Sequence, residues 1–165
     1  EKCSDGYSKI LALAPKNVYT IRNLALAKLR LDQKQEAEEL LKKAIELQPN
    51  DGYSHFLLGV YYYRLGLDNE AIASIDKGLA ISPDNAKAHH YLGAICIKQG
   101  LRERAIKEFE SVIAIDPSFG DAYYNLAYLY ATSNPKRLDL ARDCYLRAQQ
   151  NGTSADTAMD SALGS

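Results

Sequence analysis

The chain has no tryptophan, only three cysteines and five prolines in 165 residues, and no excess of either charge. Twenty Lys and Arg stand against 21 Asp and Glu, a net charge of −1. Binding to nucleic-acid phosphates normally shows as a basic excess, so no nucleic acid is expected as a partner. No apolar run approaches the roughly 18 residues that span a bilayer, and no signal peptide pattern opens the chain. Membrane insertion by this chain is therefore not expected. Cys3, Cys96 and Cys144 are odd in number and far apart, which fits neither a disulfide framework nor a paired-cysteine metal site. A Gly-rich phosphate loop after a strand is also missing. The first residue is Glu rather than Met, so a fragment or processed piece is expected, with any targeting segment upstream. Cytoplasm and periplasm are both compatible with this composition.

What is present is a period. Pro15, Pro49, Pro83 and Pro117 each follow the last by 34 residues. At that period Leu24, Leu58, Leu92 and Leu126 share a column, followed by the small residues Ala25, Gly59, Gly93 and Ala127. Ala37, Ala71 and Ala105 form another, with Cys3 one period earlier. Leu11, Ile45, Leu79 and Ile113 form a further column, as do Leu13, Leu47, Ile81 and Ile115. Within each period the apolar spacing is helical and falls into two blocks. Asp32, Gly66 and Gly100 mark the breaks, being residues that tolerate the left-handed conformation closing a helix. Each proline ends a second helix. Breaks are thus predicted near residues 15–17, 32, 49–51, 66, 83–85, 100 and 117–119.

These columns resemble the tetratricopeptide repeat (TPR) family, whose 34-residue unit is a pair of antiparallel helices. Residues 18–51 show Ile21, Leu24, Ala25, Ala37, Leu41, Ala44 and Pro49 in its pattern, and residues 52–85 and 86–119 follow it, the latter with Val112 where alanine is usual. Lys28 departs from it, standing in an apolar column. The fold class implied is all-α, a right-handed α-solenoid of antiparallel helix pairs with a C-terminal capping helix. Residues 1–165 are then expected to be one TPR domain: 1–17 the second helix of a truncated repeat, three full repeats, residues 120–152 a repeat with a two-residue insertion near 133–136, and residues 153–165 a capping helix and tail. Thr153 to Asp156 read as a capping box. Ala155, Ala158, Met159, Ala162 and Leu163 read as the apolar stripe that covers the end of the stack.

No catalytic constellation is found, and neither enzymatic activity nor a cofactor is expected. His55 and His89 fall at an inter-helix packing position, where a core or half-buried ring is expected. His89 and His90 are adjacent, point to different faces and do not chelate one ion. Residues 34–43 alternate charge as a solvated helix face does.

The resemblance implies that first helices line a concave side. The partner-binding residues expected there are Tyr19, Arg22, Asn23, Tyr53, Phe56, Leu57, Val60, Tyr63 and Arg64, then Lys87, His90, Tyr91, Tyr124, Asn125 and Tyr128. Six of the twelve tyrosines lie on this surface, and Tyr and Arg are favoured at interface hot spots. Arg22, Arg30, Arg64 and Lys87 are expected to orient the ligand. Family members that grip acidic chaperone tails use Lys and Asn, then Asn, then Lys and Arg. Here Arg22, Leu26, Leu57, Lys87 and Tyr91 take those places, so such an adaptor is disfavoured. The expected function is a non-catalytic scaffold holding a peptide or helix of a partner protein, whose identity is open, in a Tyr-rich groove. The alternatives are a structural self-assembly module and a regulatory or docking domain of a larger protein. Phe56 and Tyr91 are expected to lie outside the packing columns. The unpaired first helix, with Tyr7, Ile10, Leu11 and Leu13, is expected to support self-association.

Overall fold

The structure, a computed structural model, describes residues 2–164, with the side chains of residues 2–5 and 8 excepted. The packing role expected of Cys3 therefore lies outside the described residues. Two compact units are present, Glu1–Pro83 and Asp84–Ser165. The first holds α1 (Lys2–Leu13), α2 (Val18–Arg30), α3 (Lys34–Leu47), α4 (Gly52–Arg64) and α5 (Asp68–Ile81). The second holds α6 (Ala86–Lys98), α7 (Arg102–Ile115), α8 (Gly120–Ala131), α9 (Leu138–Gln150) and α10 (Thr157–Leu163). The breaks fall where the 34-residue period predicts them.

The helix pairs turn by one mechanism. Asp32, Gly66 and Gly100 have φ of 58°, 75° and 72°, the left-handed region. In each turn the next amide reaches back over the helix end: Gln33 N–H donates to the Lys28 carbonyl at 2.9 Å, Leu67 to Tyr62 at 3.0 Å, Leu101 to Cys96 at 2.8 Å. That Schellman closure satisfies carbonyls the helix leaves open and reverses the chain in three residues. Between α8 and α9 the link has six residues instead of three, because two residues are inserted and α8, at 12 residues, ends one residue sooner than the 13-residue first helices before it. Buried Ser133 braces this longer loop, its single hydroxyl proton shared between the carbonyls of Tyr130 and Pro135, 2.8 and 2.7 Å from its oxygen.

The leucine, small-residue and Ala37/Ala71/Ala105 columns become the cores of the two units, whereas Leu11, Ile45, Leu79 and Ile113 are half-buried and Leu13, Ile81 and Ile115 are exposed. In the first, Ile21, Ala25, Ala37, Leu41, Ala44 and Ile75 are fully buried; in the second, Ile95, Cys96, Phe109 and Val112 are. The small column lets helix pairs approach. A Cβ on Gly93 would lie 2.8 Å from the tip of the Phe109 ring, and one on Gly59 would overlap Ile75 and sit 3.1 Å from the Ala71 carbonyl oxygen. Lys28, the departure from the pattern, is accommodated because its ammonium reaches Glu36 at 2.7 Å. His55 and His89 are half-buried, as expected: His55 Nε2 meets the Pro49 carbonyl at 3.0 Å and His89 Nδ1 meets Glu108 at 2.7 Å.

The C-terminal segment corrects two expectations. The N-cap of α10 is Asp156, which accepts from the Ala158 amide, so Thr153 does not open a capping box. Of the five residues in the expected stripe, only Met159 and Leu163 are buried; Ala155, Ala158 and Ala162 are exposed. Residues 153–156 lie outside the helix, Asp156 with extended backbone, and the seven-residue helix that remains buries two large side chains. On α1, Ile10 and Leu13 are 48% and 89% exposed. Among the described residues no helix is long and apolar enough to cross a membrane.

Candidate partner-binding surface

The residue preceding each first helix governs this surface. Asn17, Asp51, Asn85 and Phe119 share one column of the 34-residue period. Asn17 and Asn85 cap α2 and α6 through the amides of Thr20 and Ala88, at 3.0 and 3.1 Å. Asp51 and Phe119 make no such side-chain cap and are used elsewhere.

In the first unit Asp51 meets Arg22, whose Nη1 lies 2.9 and 2.7 Å from its two carboxylate oxygens, and it also accepts from the Ser54 hydroxyl. Burial works to raise the Asp51 pKa, but the Ser54 hydroxyl and the Arg22 guanidinium outweigh it and hold the carboxyl below its usual range. The Arg22 guanidinium lies between two tyrosines, 6.0 Å from the Tyr19 ring centre and 5.0 Å from that of Tyr53. Both rings remain open to solvent, Tyr19 at 66% and Tyr53 at 43%. Arg22 Nε and the neighbouring Asn23 Nδ2 are buried with no hydrogen-bond partner.

In the second unit Phe119 packs on His90 at 4.9 Å between ring centres, and Phe109 meets the same imidazole edge-on at 5.7 Å. Burial pushes the His90 pKa down, with Asp121 pulling the other way, so the ring is neutral at pH 7. Tyr124 donates to the Asp156 carboxylate, and Tyr145 accepts the Asp156 amide at 2.7 Å. The Tyr124 hydroxyl pKa is pushed up to about 12, first by this bond and then by burial. Between α6, α8 and residues 153–156 a shallow cleft of about 530 Å³ opens, lined by His90, Asp121, Tyr124 and Asn125 together with that segment.

The expected binding residues divide by accessibility. Tyr19, Tyr53, Arg64, Lys87 and Tyr128 are exposed; Arg22, Asn23, Tyr63, His90, Tyr91, Tyr124 and Asn125 are half-buried. Phe56, Leu57 and Val60 are buried, at 4%, 3% and 6% exposure, which corrects the expectation that Phe56 stands outside the packing. The reason is α4 itself, which is apolar on nearly every side, as an enclosed helix is. Arg22 is likewise no free cation, because Asp51 neutralises it. Sequence reasoning missed the Asp51 pairing and the Asp156 contacts. The signal for the first was there, since an acid stands where the neighbouring periods carry capping asparagines.

Helix pairs repeating every 34 residues, closed by left-handed turns and carrying polar and aromatic side chains on their first helices, define a tandem-hairpin protein-interaction module. Tetratricopeptide repeat models match residues 22–86 and 86–119, and the chain belongs to the tetratricopeptide repeat family. No curated protein matches the sequence. Among solved structures, the chain is similar to MamA, at 25% identity over 90% of this chain and 85% of that one, with a TM-score of 0.77. A MamA piece from Desulfovibrio magneticus RS-1 is also 25% identical, covering 82% and 75% of the two chains with a TM-score of 0.71. YrrB, described as a TPR protein with an unusual peptide-binding site, is 20% identical over 98% of this chain and 80% of its own, with a TM-score of 0.69, a likeness of fold.

Proposed function

We propose that this protein-interaction scaffold is non-catalytic and takes a peptide or helix of a partner protein on the tyrosine-bearing faces of its first helices. The observation that carries the reading is the group on α2 and α4: two exposed tyrosine rings within cation–π distance of Arg22. Tyrosine adds contact area at low entropic cost. The peptide-binding site in the description of YrrB is in keeping with this use of the fold. Selection of a random twelve-residue peptide display library on the immobilised chain tests it. Enriched peptides that fail to bind the Tyr19→Ala/Tyr53→Ala variant support the reading, and enrichment indifferent to that variant contradicts it.

A second reading, self-association through α1, is favoured by the exposure of Ile10 and Leu13. Sedimentation velocity of the wild type and of Ile10→Ser/Leu13→Ser decides it, with concentration-dependent assembly lost in the variant as the supporting result.

A further inference from the structure

We propose that the cleft of the second unit is a pocket for a lysine or arginine side chain of the bound peptide. This deepens the scaffold reading and rests on it for the source of the ligand. The cleft is bounded on three sides, by α6, by α8 and by residues 153–156, and none of its described lining residues is Lys or Arg. Two carboxylates, Asp121 and Asp156, and one neutral imidazole, His90, line it. Asp156 is fixed as an anion, since the Tyr124 hydroxyl and the Ala158 amide hold its carboxyl below the usual range. Asp121, on the first turn of α8, is exposed. The amide nitrogen of Asn125 is occupied by the Asp121 backbone carbonyl at 2.9 Å, which leaves its oxygen as an acceptor.

The charge balance decides the sign of the ligand. Two helices, α8 and α10, begin at the cleft, and each N-terminus contributes roughly half a positive charge, too little to cancel two carboxylates. Protonated His90 would change that balance, but burial keeps it neutral at pH 7. A side chain with an apolar stem and a cationic head suits this site. The stem packs along the Tyr124 ring and the head reaches Asp121 and the remaining acceptors. A carboxylate or phosphate would meet like charge.

The probes are N-acetyl-lysine methylamide and its uncharged counterpart N-acetyl-glutamine methylamide, titrated into the full chain and followed by amide NMR shifts. The lysine compound is expected to move the amides of Asp121, Asn125 and Ser154, and the glutamine compound is not. Asp121→Asn should weaken lysine binding about fivefold, the scale of one partly solvated ion pair, while Asp121→Glu keeps it. Equal shifts from both compounds, or shifts elsewhere, would overturn the pocket. The scaffold reading would survive that result if display-selected peptides still bind through Tyr19 and Tyr53.

Discussion

Arg22 and Asp51, 29 residues apart, are locked together by two contacts from one guanidinium nitrogen. His90 and Phe119 stand at the same separation and use it for ring packing instead. One structural position thus carries a charge link in the first unit and an aromatic one in the second. The Asp51 carboxyl is held below its ordinary range, so its contribution is complete above the unfolded value, about 3.9, and is lost as pH falls through the folded value. Asp51→Asn should cost about 1–2 kcal/mol near pH 7. The gap between variant and wild type, measured by urea unfolding, should stay constant from pH 7 to 5 and narrow below about 4.

Gly93→Ala is expected to destabilise. The new methyl would meet the Phe109 ring at 2.8 to 3.0 Å, and that ring is fully buried with nowhere to turn. Overpacking of this kind costs about 1–3 kcal/mol, more than the roughly 1 kcal/mol that alanine returns in helix propensity. Thermal unfolding should show a lower Tm for Gly93→Ala, whereas Gly6→Ala, whose Cβ meets nothing within 4 Å, should not lower it.

Asp32 holds a left-handed conformation that its counterparts Gly66 and Gly100 adopt without a side-chain penalty. The penalty for a residue with a Cβ is about 1 kcal/mol. Its ion pair with Lys34, 3.4 Å long and largely solvent-exposed, returns little. Asp32→Gly should therefore raise the Tm, and an unchanged or lower Tm would show the turn to be relaxed.

The pKa of His90 lies below that of an ordinary histidine because burial penalises its charged form. An unfolded histidine takes up its proton near pH 6.5, so the unfolded chain binds more protons as pH falls below that value. The expected result is a stability contribution that is complete above about pH 6.5 and declines below it. His90→Gln should remove that part of the pH dependence. An NMR titration midpoint for the His90 ring at or above 6.5 would contradict the burial argument.

The helices and their turns were legible because the period repeats the same physical demands: an apolar column for the core, a small residue at each close approach, and a left-handed residue at each turn. The surface was legible only in outline. Phe56 occupies a face position, yet the apolar sequence of α4 encloses it, and a position number carries no record of how polar its own helix is. Arg22 read as a free cation because its partner lies 29 residues on, a distance that no helix periodicity reports. Asp156 read as part of a capping box rather than as the cap itself, because the register of a seven-residue helix is set by the two side chains it buries, Met159 and Leu163.

The central claim is that the first-helix tyrosines bind a partner peptide. Its most direct test is the affinity of a display-selected peptide for the wild type and for Tyr19→Ala/Tyr53→Ala, read by fluorescence anisotropy beside Glu39→Ala on the exposed side of α3. Both tyrosines are exposed, so the double variant should keep its helix content. Losing a hot spot costs about 2 kcal/mol or more, so the account predicts binding weaker by about thirtyfold for the tyrosine variant and unchanged for Glu39→Ala. Equal affinity for all three proteins would contradict it.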